Sequence, residues 1–277
     1  MDTRQQLVVS AYRFLLARTV FVTVALCLLA PAANAVEPVA PEKPIRLFNG
    51  KDLTGFTTWL KATGRNDPNH VFSVAGGTIR ISGEGLGYLA TEKAYKNYHL
   101  VLEYKWGKYT TDPKSVRNSG CLLNGIGPDG GADPWMTCLE CQIAQGCEGD
   151  LIVIRGKDEN GRVIPATVSS ETVTAADGNT RWKKGGQKTV YSGKQFWWSK
   201  HQPFFEERLD NRGKDDVAGP LGQWTRVDCI TAGNHLTIKI NGVQVNEFFD
   251  VMPAAGKILL QNEGSEIYYR NVELLPL

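Results

Sequence analysis

The sequence predicts an all-β fold, a sandwich or barrel, on three observations. Short apolar runs alternate with polar residues at the two-residue period of a strand. Gly- and Asn-containing turns separate these runs at regular intervals. Helical periodicity is almost absent, with Thr91–Lys96 the one weak helix candidate. Val71–Val74 and Thr78–Ser82 flank Ala75-Gly76-Gly77 as a hairpin. Gly87–Thr91 is a short strand. Tyr98–Trp106 is the longest clean one: Leu100, Leu102, Tyr104 and Trp106 share one face, and His99, Val101, Glu103 and Lys105 the other. Strands follow near Gly120–Asn124 and Trp135–Ile143. Asp150–Arg155 and Arg162–Ala166 are expected to pair around Glu159-Asn160-Gly161. Trp224–Thr231 and His235–Ile240 flank Ala232-Gly233-Asn234. Asn241-Gly242 is a type I′ turn signal into Val243–Val245, and Lys257–Gln261 and Glu266–Leu274 close the domain. Residues 167–222 break the pattern; their Gly, Lys and many large aromatics suggest long loops packed around a cleft.

The N-terminal 35 residues have the form of an export signal. Arg4, Arg13 and Arg18 accompany an apolar run from Val20 to Ala30, and Ala33-Asn34-Ala35 fits a small-x-small cleavage site. Residues 36–44 then form a Pro-rich spacer, expected to be mobile, before one domain over 45–277. The chain carries 31 basic and 29 acidic residues; without the signal, 28 of each remain. A net charge near zero gives no electrostatic reason to expect nucleic acid or an anionic membrane as partner. The expected location is therefore periplasmic or extracellular, with a neutral substrate.

Five cysteines remain beyond the signal, Cys121, Cys138, Cys141, Cys147 and Cys229. An odd number cannot all pair within one chain. Cys138 and Cys141 with Cys147 suggest a zinc site by spacing, but positions three apart on a strand face opposite ways. Small buried apolar residues are the expected role, with a Cys121–Cys141 bridge across neighbouring strands the one pairing considered.

Trp135–Ile143 carries the most functional information. As a strand it places Leu139, Cys141 and Ile143 on one face and Glu140 and Gln142 on the other. An apolar face backed by a carboxylate and an amide suits a sheet whose open face is a polar cleft. Asn118-Ser119-Gly120 upstream and Leu260-Gln261-Asn262-Glu263-Gly264 near the end add to it. Together these stretches suggest a sugar-handling site.

Seven segments in order carry a resemblance. Leu47-Phe48-Asn49-Gly50-Lys51-Asp52-Leu53-Thr54-Gly55-Phe56, Asn118-Ser119-Gly120 and Leu139-Glu140-Cys141-Gln142-Ile143 come first. Gly222-Gln223-Trp224-Thr225, Ile240-Asn241-Gly242, Ile258-Leu259-Leu260-Gln261 and Tyr269-Arg270-Asn271-Val272 follow. Over residues 45–277 the chain resembles the 3-keto-disaccharide hydrolase family. Thr225 stands where that family usually has Asn, and Glu263 where many members have His. The resemblance implies a concanavalin A-like jelly roll of two antiparallel sheets, with the concave face of one sheet as the sugar site. It also implies cleavage of glycosides already oxidised at sugar carbon 3. The 3-keto group acidifies the C2 proton; a base removes it, the C1 substituent leaves by β-elimination, and water adds to the unsaturated sugar.

That chemistry needs a base, an electrophile at the keto oxygen and an acid for the leaving group. Glu140 is the leading base candidate, and Glu263 a second carboxylate, as acid or metal ligand. Gln142 and Asn118 are candidates for hydrogen bonds to sugar hydroxyls. Arg270 or Lys105 would stabilise enediolate charge, with Glu103 on the same strand face as Lys105. Trp135, Trp197 and Trp198 are candidate stacking platforms, the alternative being that they pack the long loops. His201, beside Trp197 and Trp198, is the leading histidine, ahead of His99. Carboxylates with a histidine would suit a divalent cation that polarises the ketone, although no compact metal motif occurs.

Two other functions compete. One is a lectin-like carbohydrate-binding module without turnover, on the same fold. The other is an ordinary glycosidase, which requires two carboxylates flanking the scissile bond; here Gln142 occupies the same-face position next to Glu140.

Overall fold

The computed structural model describes residues 37–277. The expected export signal lies outside the described residues. No helix occurs among those described. In chain order the strands are β1 (Ile45–Arg46), β2 (Phe56–Leu60), β3 (Phe72–Ala75), β4 (Thr78–Ile81), β5 (Leu86–Thr91), β6 (Tyr98–Thr110), β7 (Gly120–Ile126), β8 (Thr137–Gln142) and β9 (Leu151–Ile154). They continue with β10 (Thr167–Thr174), β11 (Thr180–Trp182), β12 (Gln187–Val190), β13 (Thr225–Ala232), β14 (His235–Ile240), β15 (Val243–Met252), β16 (Lys257–Glu263) and β17 (Ser265–Leu275). One sheet has six strands in the order β2-β5-β16-β7-β8-β9. The other has eleven, running β11-β10-β15-β14-β13-β6-β17-β4-β3, with β1 on β17 and β12 on β10. Both are antiparallel, and they face each other as the expected concanavalin A-like jelly roll.

The alternation in β6 works as its sequence requires. Leu100, Leu102, Tyr104 and Trp106 enter the core between the sheets, where Leu139, Cys141 and Ile143 meet them from the other side. Asn241 and Gly242 both have positive φ (47° and 81°), which fits the turn joining β14 to β15. Asn241 also accepts the Arg226 N–H on its side-chain oxygen and donates to the Val217 carbonyl.

Several expectations need correction. Thr91–Lys96 is not a helix: Thr91 ends β5, and Tyr95 forms isolated bridges with Val39 and Gly256. The spacer is fastened where Val39 donates to the Ala94 carbonyl and accepts from Lys96, and Pro41 is buried. Arg162–Ala166 is not a strand partner for β9, which pairs with β8 instead. Asp158 folds residues 158–162 into a small loop by accepting the Asn160 and Arg162 N–H groups. Residues 167–222 are only partly loop, because β10, β11 and β12 extend the larger sheet. Ser169, Ser170, Thr172 and Arg181 fill buried positions of β10 and β11, and β12 is largely exposed, so these strands carry little apolar signal and resemble loop in sequence.

Cys121 and Cys141 do sit opposite each other in register, but they are not bridged, and all five described cysteines are free and buried. Cys229 reaches across from β13. Its hydrogen bonds with Cys121 and then Cys141, with burial, push its thiol well up and keep it neutral.

Candidate active site on the six-stranded sheet

The face of the six-stranded sheet turned away from the core has an apolar and a polar half. Tyr88, Ala90, Leu122, Met136, Cys138 and Leu259 form the apolar half, with Trp59 and Trp135 packed against them. The loop after β7 is anchored beside this half. Asp129 accepts the Tyr88 hydroxyl at 2.8 Å and binds Arg65 at 2.7 Å. Gly130 lies so close to Trp59 that a Cβ there would stand 2.9 Å from the indole ring. Trp135, half-buried, packs against this apolar half on the face that carries Glu140.

The polar half is built from β7, β8 and β16. Glu140 and Gln142 project from β8 on the face shared with Cys138, as alternation demands. On β16, Gln261 and Glu263 share the face of Leu259. Gln261 pairs with Tyr88, which pairs with Trp59 across β2. The Asn118-Ser119-Gly120 motif explains itself residue by residue. Asn118 donates its amide to Glu263 Oε2 at 2.9 Å. Ser119, fully buried, donates to the Gln261 carbonyl at 2.8 Å and shares a hydrogen bond with the Tyr269 hydroxyl. Gly120 leaves space: a Cβ there would lie 2.5 Å from Glu140 Oε1 and 2.9 Å from Gln261 Oε1. Only glycine lets both side chains converge over this strand.

The site is polar but unsatisfied. Glu140 Oε1, Gln261 Oε1 and Asn118 Oδ1 are buried acceptors with no hydrogen-bond partner. Buried polar atoms are ordinarily paired; a hydrogen bond from the Gln261 side chain to Glu140 opposes the rise in its pKa, and the remaining acceptors call for further donors. Sugar hydroxyls supply donors, and so does a proton held by Glu140. The same oxygens would also suit a hard divalent cation. Gln142 is fixed differently, since its Oε1 accepts the N–H groups of Ile143 and Ala144 at 2.9 and 3.2 Å. That leaves its NH₂ as the group free to act, a donor.

Ionisation follows burial. Glu140 is 3% exposed; burial first, and the neighbouring Glu263 second, push its carboxyl up to about 8. Burial alone pushes the half-buried Glu263 up to about 7. Glu263 thus acts on Glu140 through its charge, and both carboxyls are pushed toward neutral pH.

The structure does not bring the other predicted site residues to this face. Glu103, Lys105 and Arg270 lie on the outward face of the eleven-stranded sheet, because β6 turns its opposite face to the core. Arg270 Nε donates to Glu103 Oε2 at 2.6 Å, and Lys105 stands 5.0 Å from the Trp224 ring centroid. Neither cation can reach an enediolate at Glu140 through two sheets. His99 is on that face too, 2.7 Å from Asp228. Trp198 is buried in the main core and offers no platform. The Trp197 ring stacks on His201 at 3.8 Å and carries the Arg181 guanidinium at 4.8 Å, so its surface is already engaged.

His201 is a buried packing residue. Its Nδ1 lies 2.8 Å from Asp150 Oδ2, and Asp150 also accepts N–H groups from Gln195 and Trp198. Burial raises the Asp150 pKa, opposed by these partners. Cys147, Asp150 and His201 each place a ligand atom within 4.8 Å of the others. A cation there would have to displace a hydrogen bond that Asp150 already makes.

Gln261 is the residue that sequence reasoning passed over. It stood inside the Leu260–Gly264 stretch, and the same-face spacing of Gln261 and Glu263 is the signal that would have found it.

The family model described as 3-keto-alpha-glucoside-1,2-lyase-like domain matches residues 43–275. No curated protein sequence matches the chain. A Parabacteroides distasonis protein assigned to the glycosyl hydrolases by name only superposes with a TM-score of 0.52 at 18% identity, covering 85% of this chain and 94% of that one. A second protein of that organism with the same assignment gives 0.47 at 19% identity, covering 85% and 100%. A carbohydrate binding module from Bacillus subtilis gives 0.44 at 9% identity, covering 79% and 95%. At 18% identity the first likeness concerns the fold. The family match runs from just before β1 to the end of β17, and the chain belongs to the 3-keto-alpha-glucoside-1,2-lyase-like domain family.

Proposed function

We propose that this protein is an exported enzyme that cleaves 3-keto-glycosides by C2 proton abstraction and β-elimination. The observation that carries the proposal is the Glu140–Glu263 pair, two carboxyls without a cation partner on one face, with Glu140 and Gln261 converging over Gly120. The family supports a carbohydrate-active role. Depth of burial supports the opposite assignment to the one made from sequence. Glu263 is the less buried carboxyl and accepts the Asn118 amide, which favours its charged form, so it is the base. Glu140 keeps its proton and is the acid.

Glu263 takes the C2 proton, the electrons move into the C2–C3 bond and onto the keto oxygen, and the Gln142 NH₂ is placed to donate to that oxygen. As the enediolate collapses, the C1–O bond breaks and Glu140 protonates the leaving oxygen. Glu140, now a carboxylate, takes a proton from water as the hydroxyl adds at C1, and Glu263 returns its proton to C2. Both side chains end as they began. Positioned proton transfer of this kind contributes about 10²–10⁴-fold.

The test is incubation with a 3-keto-glucoside and with its unoxidised parent, with and without a divalent metal, followed by mass spectrometry. Cleavage of the keto form alone is expected. Cleavage of both would point to ordinary glycoside hydrolysis. Sugar binding without cleavage of either would make the protein a lectin-like module.

A further inference from the structure

The outward face of the eleven-stranded sheet carries a cleft of about 770 Å³ that contains neither Glu140 nor Glu263. Its floor is Trp224 and Tyr268. Lys105 Nζ lies 5.0 Å from the Trp224 ring centroid and 5.8 Å from that of Tyr268, and the Arg270 guanidinium lies 4.1 Å from Trp224. Arg46 stands at the rim, and Glu273 is the one acid in the lining. The turn at Asn49-Gly50 and the hairpin tip at Gly76-Gly77 form low walls that leave it open.

Two features suggest a built site rather than a chance groove. A register shift between Arg270 and Glu273 puts a bulge in β17, with Asn271 at φ 51°. Bulges re-aim side chains beside sites. This one keeps Arg270 and Glu273 at the cleft while Val272 stays in the core. The cations are also only partly used. Arg270 spends its Nε on Glu103, leaving the far edge of the guanidinium for a second planar anion. Lys105 forms no ion pair among the described residues. Arg46, Lys105 and Arg270 against Glu273 in the lining and Glu103 beside Arg270 leave an excess of one positive charge in a domain whose charges otherwise balance.

We infer that this cleft is a second saccharide-binding site, selective for an acidic sugar unit such as a uronate. The carboxylate would lie between Lys105 and the free edge of Arg270, both held over Trp224, with the pyranose ring against Tyr268. Such a site would hold the protein on an acidic polysaccharide while the other sheet does its chemistry. It does not depend on the carboxylate pair.

Isothermal titration with a galacturonate trimer, with maltotriose as the neutral control, tests it. The trimer should bind saturably, weaken as salt rises, and bind equally well to Glu140→Gln protein. Maltotriose should bind this cleft at least about tenfold more weakly, a difference of one charge-assisted contact. Lys105→Gln and Arg270→Gln should each lower trimer affinity by about tenfold. Lys105→Gln breaks no ion pair and so serves as the folding-safe variant. Absence of saturable trimer binding, equal binding of maltotriose, or full affinity in both variants would overturn the inference. Loss of trimer binding in Glu140→Gln protein would also overturn it, by locating the ligand on the other sheet.

Discussion

The outward faces of the two sheets treat charge in opposite ways. On the eleven-stranded sheet three acids are matched: Glu103 with Arg270, Asp228 with Arg226 and His99, Glu266 with Arg80. Partners hold the Asp228 and Glu266 carboxyls below their ordinary values, outweighing the opposing effect of burial. On the six-stranded sheet, Glu140 and Glu263 have no cation within salt-bridge distance among the described residues, and both ionise far above the ordinary carboxylate range. Matched charges are stable and inert near neutral pH. A buried unmatched pair costs stability and is poised to move protons. Position in the fold, rather than residue type, separates the two groups.

The largest expected effect breaks this comparison directly. Glu140→Gln and Glu263→Gln should each lower kcat on a 3-keto-glucoside by about 10²–10⁴-fold, while Glu103→Gln should leave it unchanged. Steady-state kinetics on the three variants checks both halves. Equal losses in all three would merge the faces into one site.

Stability should respond next. Between its ordinary pKa of 4.5 and its folded value of about 8, Glu140 holds a proton in the folded protein that the unfolded chain has released. Stability should therefore fall as pH rises through that window and level off above it. Glu140→Gln removes Glu140's share of the dependence and leaves that of Glu263. Its stability should match wild type near pH 5 and exceed it at pH 8.5 by an amount on the order of several kcal/mol, read as a higher melting temperature. Melting curves across this range measure it, and a wild type that gains stability from pH 5 to 8 relative to the variant would refute the ionisation account.

Gly120→Ala should cost about 1–3 kcal/mol from overpacking, because the new methyl meets Glu140 and Gln261. Activity should fall with it, and denaturant unfolding gives the stability half. Arg270→Gln should be the mildest. Its pair with Glu103 is 40% and 23% exposed, and such pairs contribute about 0–1 kcal/mol. An unchanged kcat with a small midpoint shift is expected.

Much of this was legible in the sequence, for a physical reason. Strict alternation in Tyr98–Trp106 and Trp135–Ile143 fixes which side chains face the core, so Glu140 and Gln142 could be assigned to the open face. Alternation does not tell which of two sheets a strand joins. Lys105 and Arg270 have the right chemistry for an enediolate, and only the pairing of β6 with β13 and β17 places them on the other sheet. The aromatic run Phe196–Trp198 is equally ambiguous in sequence, because packing and sugar stacking ask for the same residues. Gly120 reads in sequence as the start of a strand, and only the register sets it between two converging side chains. The ionisation order was beyond sequence altogether, since it depends on how deeply each carboxyl is buried.

The most direct test is the pH dependence of kcat/KM for a 3-keto-glucoside. A narrow bell is expected, rising near pH 7 as Glu263 ionises and falling near pH 8 as Glu140 loses its proton. The residual activity of Glu263→Gln should lose the acid limb, and that of Glu140→Gln the alkaline limb. A profile flat from pH 6 to 9, or limbs that persist in both variants, would contradict the assignment of this carboxylate pair as the acid and the base.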